Sequence, residues 1–318
     1  MNTAWLQALA FLGLLLALSV PLGAFIGRLL EGEPTFLHPV VGPVERGLLR
    51  LMGLRGEEMG WKTYAMAILL FNLVGGLALF ALLKGQAHLP LNPAHQGGLP
   101  TDLAFNTAVS FTTNTNWQAY GGETTMSHLS QMLGLAVQNF LSAATAIAVL
   151  AALVRGFARR ETEGLGNAWA DLVRITLYLF LPLSFVLALA LVSQGVVQTL
   201  SGAAHTASGQ GIALGPAASQ VAIKMLGTNG GGFFNANAAH PFENPTPLAN
   251  FLQMLAILLI PAALCHTFGR MVRDRRQGWA LLAAMTLLFV GALALTASTE
   301  SRPNPRLVRV GVAQPVGN

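Results

Sequence analysis

Residues 227–235 read Gly-Thr-Asn-Gly-Gly-Gly-Phe-Phe-Asn, and residues 113–118 read Thr-Asn-Thr-Asn-Trp-Gln. Each segment follows a short helix-compatible stretch and lies between two long apolar regions. Backbone that is neither helix nor barrel is tolerated at membrane depth only where protein buries it or where it lines a water-filled cavity. Glycine lets carbonyl groups crowd toward one axis, where they can replace the hydration shell of a cation. We therefore expect both segments to be re-entrant loops along an ion path.

The composition is that of a membrane protein. The chain has 318 residues, of which 53% are hydrophobic and 10% charged, whereas a soluble domain carries about 25% charged residues. Residues 1–3 carry no positive side chain, so we take the first apolar stretch as a retained span rather than a cleaved signal. The sequence predicts an all-α polytopic membrane protein with six transmembrane helices. They are expected near residues 5–26, 63–83, 129–154, 172–192, 248–268 and 279–297.

Basic residues alternate between the loops and orient the chain. The loops at residues 85–127 and 193–247 contain one lysine or arginine between them, Lys224. Under the positive-inside rule these two loops and the N-terminus lie outside. The net charge of +5 is accounted for by arginines of the cytoplasmic loops, so no nucleic-acid partner is indicated. These arginines are Arg28, Arg46, Arg50, Arg55, Arg155, Arg159, Arg160, Arg270, Arg273, Arg275 and Arg276.

The order of elements is repeated within the chain. Short helices predicted at residues 100–111 and 216–226 each precede one of the two polar segments, and a span follows each segment. Aligning Asn114 with Asn229 gives a spacing of 115 residues. A short helix that points inward presents the negative end of its dipole, which favours a cation. The sequence therefore divides into an extra span, a cytoplasmic loop, a first repeat, a linker, a second repeat and an incomplete third repeat, at residues 1–28, 29–61, 62–155, 156–171, 172–269 and 270–318.

The two motifs resemble a known family. Residues 227–247 read Gly-Thr-Asn-Gly-Gly-Gly-Phe-Phe-Asn-Ala-Asn-Ala-Ala-His-Pro-Phe-Glu-Asn-Pro-Thr-Pro, and together with residues 113–118 they look like the potassium-binding subunit of the Kdp-type potassium-transporting ATPase. The similarity runs over essentially the whole chain. It implies a relative of the potassium-channel superfamily with span, pore-loop, span repeats. The matching filter residues are Thr113, Asn114, Thr115, Asn116, Gln118, Thr228, Asn229, Gly230, Gly231 and Gly232.

The resemblance also implies partners that this chain does not contain. It implies that potassium enters from the outer face and passes to the catalytic P-type ATPase partner, the B subunit, which hydrolyses ATP, while this chain has no catalytic residues of its own. The small C and F subunits complete a complex in the bacterial inner membrane, where lipid surrounds the spans. Potassium is the transported ion, and no organic cofactor is expected.

The chain departs from the family pattern in its length. The family has four filter loops and ten spans, whereas this sequence has two such loops and six spans. Residues 304–318, which follow the sixth span, resemble the stretch that precedes the third pore helix. We expect a truncated reading frame or gene fragment rather than a natural half-length protein. Two alternatives to a transport role in the pump stay open. One is a non-transporting fragment, and the other is an autonomous cation channel formed by oligomerisation, because two-fold pairing can in principle supply four loops.

Several residues near the loops have two interpretations each. We expect Lys224 to extend its ammonium group to the outer vestibule, with an anchor or barrier at the filter as the alternative. Gln118 is either a vestibule residue or a selectivity determinant. Trp117, Phe233 and Phe234 are expected to pack behind the loops. We expect three carboxylates to hold the loops by hydrogen bonds, with cation enrichment as the alternative; these are Asp102, Glu123 and Glu243.

Overall fold

The computed structural model describes residues 3–54, 56–159 and 164–311. Of the residues singled out above, Arg55, Arg160 and the end of the closing segment at residues 312–318 lie outside these ranges. So do the first two residues of the uncharged N-terminus.

The described residues are predominantly helical, because apolar residues with high helix propensity fill the long stretches between polar loops. A π-helical segment, Ser130–Ala136, runs directly into α6, and a second one, Ile175–Phe180, joins α7 to α8. Two short strands, Ala204–His205 (β1) and Gly211–Ile212 (β2), pair antiparallel. The α-helices are α1 Thr3–Leu30, α2 His38–Leu51, α3 Trp61–Gly85, α4 Thr101–Thr112, α5 Gly122–Thr125, α6 Val137–Ala158, α7 Ala168–Arg174, α8 Leu181–Ser193, α9 Ala217–Leu226, α10 Pro247–Met271, α11 Arg275–Glu300 and α12 Pro305–Arg309.

Six helical stretches among the described residues are long and apolar enough to cross a membrane. Each of them overlaps one predicted span, so the fold class and the number of spans are confirmed. Together the short helices α4 and α9 and the two strands lie in the two loops predicted to be outside. The six stretches are Trp5–Leu30, Trp61–His88, Ser130–Ala158, Ala168–Ser193, Pro247–Met271 and Arg275–Glu300.

The first and fifth spans pack closely against each other. Gly23 allows this approach, because a Cβ atom there would lie 2.6 Å from the Cβ of His266. Thr267 on α10 donates a hydrogen bond to the carbonyl of Gly23 at 3.0 Å, which fixes the register of the two helices. The sixth span, by contrast, is largely exposed, and its apolar residues face outward.

Helix α2 lies in the segment predicted as a cytoplasmic loop and is tied to the fourth span by a carboxylate. Glu45 accepts a hydrogen bond from Tyr178 Oη at 2.6 Å and from Arg174 Nε at 2.7 Å. Burial opposes ionisation of this carboxyl, but the hydrogen bond from Tyr178 and the charge of Arg174 outweigh it and lower the pKa of Glu45 below its usual value of 4.5.

An ion pair joins four of the spans at the end remote from the polar loops. Arg155 binds Asp171 through two hydrogen bonds of 2.5 and 2.9 Å and donates to the carbonyls of Leu30 and Leu165 at 2.7 and 3.0 Å. Tyr64 donates to the same Asp171 at 2.9 Å. A cavity of about 610 Å³ opens beside this cluster. The guanidinium of Arg155 and the carboxylate of Asp171 pair with each other and with three further residues, so the cluster fixes the relative positions of the helices.

Candidate functional site

The two polar segments follow the C-terminal ends of α4 and α9. These helices span Thr101–Thr112 and Ala217–Leu226, which agrees with the two predicted pore helices to within one residue at each end. We call residues 113–121 loop 1 and residues 227–235 loop 2. Both helices begin directly after a proline, Pro100 or Pro216, which occupies the N-cap position.

Loop 1 folds back onto the end of α4. The backbone N–H groups of Thr115 and Asn116 both donate to the carbonyl of Ser110 at 3.0 Å. Asn114 and Asn116 have φ angles of 65° and 54°, and Thr115 between them is not among the described residues with positive φ. Asparagine tolerates the left-handed region better than most residues, which explains its occurrence at both positions.

Loop 2 repeats this arrangement on α9. The N–H groups of Asn229 and Gly230 both donate to the carbonyl of Lys224, at 2.9 and 3.3 Å. Thr228 and Gly230 have φ angles of 56° and 90°. The backbones of the two loops are thus equivalent at a spacing of 114 residues. The spacing of 115 expected from aligning Asn114 with Asn229 is wrong by one residue.

The alternation of φ separates the donors of each loop from its acceptors. Backbone of alternating hand carries successive N–H groups on one side and successive carbonyl groups on the other. In both loops the N–H groups face the preceding helix. Among the described residues, no hydrogen bond ends on the carbonyl oxygens of residues 114–116 or 228–230. A row of unengaged carbonyls of this kind can coordinate a bare cation.

Gln118 joins the two loops. Its Oε1 accepts from the N–H of Gly232 at 2.9 Å, and its Nε2 donates to the carbonyl of the same residue at 3.1 Å. Nε2 also donates to Tyr120 Oη at 3.3 Å, and burial raises the pKa of Tyr120 to about 12, so the phenol stays neutral at physiological pH. Gly231 fits against this contact, because a Cβ atom there would lie 2.9 Å from Oε1 of Gln118.

Asn235 provides a second connection between the loops. Its Oδ1 accepts from the N–H of Gly122 at 2.7 Å, and its Nδ2 donates to the carbonyl of Tyr120. Loop 1 is therefore fixed to loop 2 at two levels, by Gln118 and by Asn235. Neither role was foreseen from the sequence.

Asparagine side chains connect the loops to each other and to α6. Asn229 donates from Nδ2 to Oδ1 of Asn114 and, at 3.2 Å, to Oγ of Ser142. Asn116 donates to Oδ1 of Asn139 at 2.6 Å. Asn139 and Ser142 lie three residues apart on α6, on the same face of the helix, and both are buried. Sequence reasoning missed them, although two buried polar residues in an apolar span are a signal in themselves.

The threonines of the loops lie at the surface of the described structure. Thr113 donates from Oγ1 to the carbonyl of Val109 at 2.9 Å and lies 3.1 Å from Oγ1 of Thr115. Thr228 donates to the carbonyl of Gly227 at 2.7 Å. The structure thus brings the ten predicted site residues together around the contact between loops 1 and 2.

Lys224 contradicts the sequence prediction. Its side chain is fully buried, and Nζ lies 2.6 Å from Oε2 of the equally buried Glu243. It therefore does not extend to an outer vestibule. The prediction failed because it assumed water as the only solvent for the ammonium, whereas the chain supplies a carboxylate that lies 19 residues further along.

The other expectations for the loop surroundings have mixed outcomes. Phe233 and Phe234, near the end of loop 2, have buried side chains that pack behind the loop backbone, as predicted. Trp117 is 60% exposed, so its predicted packing role is wrong in the described structure. Glu243 holds loop 2 by accepting from the N–H of Phe234 at 3.3 Å. The described residues provide no hydrogen bond to the carboxylates of Asp102 and Glu123.

Comparison with known proteins agrees with this architecture. Residues 9–318 match the family model described as KdpA, the potassium-transporting ATPase A subunit. The chain belongs to this family. It is a multi-pass membrane protein, as the six apolar helices indicate.

Relatives in this potassium-transporting ATPase family are similar along the whole chain. A protein of Laribacter hongkongensis is 60% identical over 325 residues, covering 100% of this chain and 57% of its own length. One of Sorangium cellulosum is 57% identical over 323 residues, covering 97% of this chain and 56% of its own length. Both are named potassium-transporting ATPase potassium-binding subunit. The chain therefore spans about half the length of the curated relatives it matches.

Proposed function

We propose that this chain binds potassium at the outer face of the membrane and conducts it inward, as the potassium-binding subunit of an ATP-driven uptake pump. Loops 1 and 2 line the ion path. The residues that coordinate or shape the site are Thr113, Asn114, Thr115, Asn116, Gln118, Thr228, Asn229, Gly230, Gly231 and Gly232. The family membership and the names of the relatives support the ion and the setting.

One observation carries the proposal: at equivalent positions of both loops the N–H groups are hydrogen-bonded to the preceding helix, whereas the carbonyl groups accept no hydrogen bond from the described residues. A potassium ion that sheds its water needs several oxygen ligands at once, and main-chain carbonyls supply them without a compensating negative charge. The dipoles of α4 and α9 add to this, because their C-terminal ends point at the loops.

The energy source lies outside this chain in our proposal. Hydrolysis of ATP belongs to the P-type B subunit, while the small C and F subunits complete a complex in the bacterial inner membrane. The arginine-poor loops and the N-terminus face outward, which places loops 1 and 2 on the side from which potassium is taken up. Repeats at residues 62–155 and 172–269 form the two halves of the site.

Two loops contribute half of the fourfold arrangement that a closed ring of carbonyls requires. The remaining oxygen ligands then come from residues other than these two loops or from a second copy of this chain. A second copy would contribute the same two loops by two-fold symmetry. The mass of the purified membrane complex distinguishes these two sources, because only the second predicts a homodimer without other subunits.

The proposed function is tested by thermal unfolding of the membrane complex that contains this chain, at increasing concentrations of KCl, RbCl or NaCl at constant ionic strength. An ion that binds only the folded state raises the melting temperature according to its affinity. We expect protection by potassium and rubidium at concentrations where sodium has little effect. Equal protection by all three ions would contradict a selective site.

A further inference from the structure

The buried pair of Lys224 and Glu243 is not explained by stability alone. Both side chains have no exposed surface, and 2.6 Å separates Nζ from Oε2. Replacing such a pair by apolar residues of similar volume is often neutral or stabilising, because burial removes both charges from water. The pair is therefore better explained by what it holds in place.

The pair contacts loop 2 at three successive points. The carbonyl of Lys224 accepts the N–H groups of residues 229 and 230. The lysine stem packs against Gly232, where an added Cβ atom would lie 2.9 Å from Cδ and 3.1 Å from Nζ. Oε1 of Glu243 accepts the N–H of Phe234 at 3.3 Å. The segment from residue 229 to residue 234 is thus held in turn by the Lys224 main chain, the Lys224 side chain and the Glu243 carboxylate.

Glu243 is itself fixed to the fifth span. Gln253 on α10 donates from Nε2 to the main-chain carbonyl of Glu243 at 2.8 Å, and Gln253 is buried as well. Glu243 therefore connects loop 2, through its carboxylate, with a membrane-spanning helix, through its main-chain carbonyl. A displacement of loop 2 or of α10 therefore has to break a hydrogen bond to Glu243 or move Glu243 with it.

Loop 1 has no such pair at the equivalent position. Ser110, which is 114 residues before Lys224, uses its carbonyl in the same way as Lys224 does. Its side chain is neutral, and Oγ donates to the carbonyl of Trp117 at 2.9 Å. The main-chain hydrogen bonds of the two loops are the same, whereas the side-chain anchor is a hydroxyl in one and an ion pair in the other.

We propose that Lys224 and Glu243 are positioning residues that hold the carbonyl groups of loop 2 at the spacing suited to potassium and prevent them from closing around a smaller ion. This inference rests on the proposed function, since it takes loop 2 as part of the ion path. Glu243 also neutralises an ammonium group that would otherwise repel a cation in the adjacent path.

The decisive variant is the double substitution Lys224→Met with Glu243→Gln. It removes both charges at nearly constant volume and leaves neither charge buried without its partner, so the complex is expected to fold and insert. Lys62→Met is the matched control, because Lys62 is an exposed lysine on α3. Potassium and sodium are titrated against the melting temperature of the complex containing this chain. Hydrogen exchange of the amides of residues 229–234 is measured in the same samples.

In the double variant we expect the potassium midpoint to rise about tenfold and the sodium midpoint to change little, so that discrimination falls by about the same factor. Exchange at residues 229–234 should become faster, and the Lys62→Met control should match the wild type in both measurements. A purely structural role would lower the melting temperature without changing the ratio of the two midpoints. An unchanged ratio in a folded double variant overturns the inference.

Two further measurements keep the outcome decisive. If the double variant does not fold, Glu243→Asp retains the charge but withdraws the carboxylate by one methylene, and an unchanged ratio of midpoints there also overturns the inference. If the wild type shows no specific protection by potassium, the proposed function fails. The role of the pair is then decided by hydrogen exchange alone, since unchanged protection of residues 229–234 in the double variant overturns it and faster exchange supports it.

Discussion

Asn229 donates a hydrogen bond from Nδ2 to Oδ1 of Asn114, so the two loops meet side chain to side chain although 115 residues separate them in the sequence. The two residues are not equivalent by position, because the backbones superimpose at a spacing of 114. The contact therefore joins Asn114 not to its backbone equivalent, Thr228, but to the residue that follows it. Each loop depends on the other for its shape.

We expect Asn114→Ala to destabilise the protein by about 1–3 kcal/mol, because Asn229 then loses one of its acceptors in a buried setting. The melting temperature in the absence of potassium measures this effect. Asn72→Ala is the control, since the Asn72 amide donates only to the carbonyl of Ile68 in its own helix, at 2.8 Å. Similar losses for both variants would show that the contact between the loops contributes nothing specific.

We expect Gly230→Asp to weaken potassium binding without preventing membrane insertion. A side chain at Gly230 is disfavoured by its φ of 90°, and its Cβ atom would lie 2.7 Å from Oδ1 of Asn237. Gly209→Asp is matched to it, because Gly209 has a φ of 83° and no atom within 4 Å of an added Cβ. The left-handed backbone costs roughly 1–2 kcal/mol at either site. A potassium titration that shifts equally in both variants would remove Gly230 from the ion path.

Acid should destabilise the protein partly through Glu45. Its lowered pKa means that the folded state favours the carboxylate, so its contribution is complete above the usual value of 4.5 and is lost as the pH falls through the lowered value. Between about pH 6 and about pH 3, the melting temperature of Glu45→Gln should therefore fall less than that of the wild type. Glu57→Gln, at an exposed position, serves as the control and should follow the wild type.

The orientation of the chain is tested by cysteine labelling in intact cells. Cys265 is buried and is first replaced by alanine. Exposed Ser208, between β1 and β2, and exposed Gln277, at the start of α11, are then changed to cysteine one at a time. A membrane-impermeant maleimide should label Ser208→Cys in intact cells and Gln277→Cys only after permeabilisation. The opposite pattern would reverse the proposed topology.

The sequence predicted the elements of this fold better than the contacts between them. The spans and the helices α4 and α9 follow from apolar length and from prolines at helix starts, both of which are local properties. The spacing of 115 residues came from matching Thr-Asn with Thr-Asn. The observed spacing of 114 residues is set by the carbonyls of Ser110 and Lys224, each of which accepts two amide hydrogen bonds. The identities of the loop residues do not indicate which carbonyls these are.

The polar contacts behind the loops could not be predicted for a related reason. Glu243 reaches Lys224 only because the intervening loop doubles back, and Gln118 of the first repeat meets Gly232 of the second, 114 residues further along. Asn139 and Ser142 lie in a helix that the hydropathy pattern describes only as a span. Their partners are set by how the helices pack, and packing of this kind is a property of the assembled structure.

The cluster around Arg155 has a consequence for biogenesis. Its ligands come from the first span, the linker that follows the third, and Asp171 of the fourth. Because synthesis proceeds from the N-terminus, the third span leaves the ribosome before the fourth span, which carries Asp171, has emerged. Until Asp171 is in place, the guanidinium of Arg155 must stay at the membrane surface, since an unpaired charge is costly inside the membrane. Docking of the fourth span against the first three is therefore the step that fixes the arrangement of these four spans.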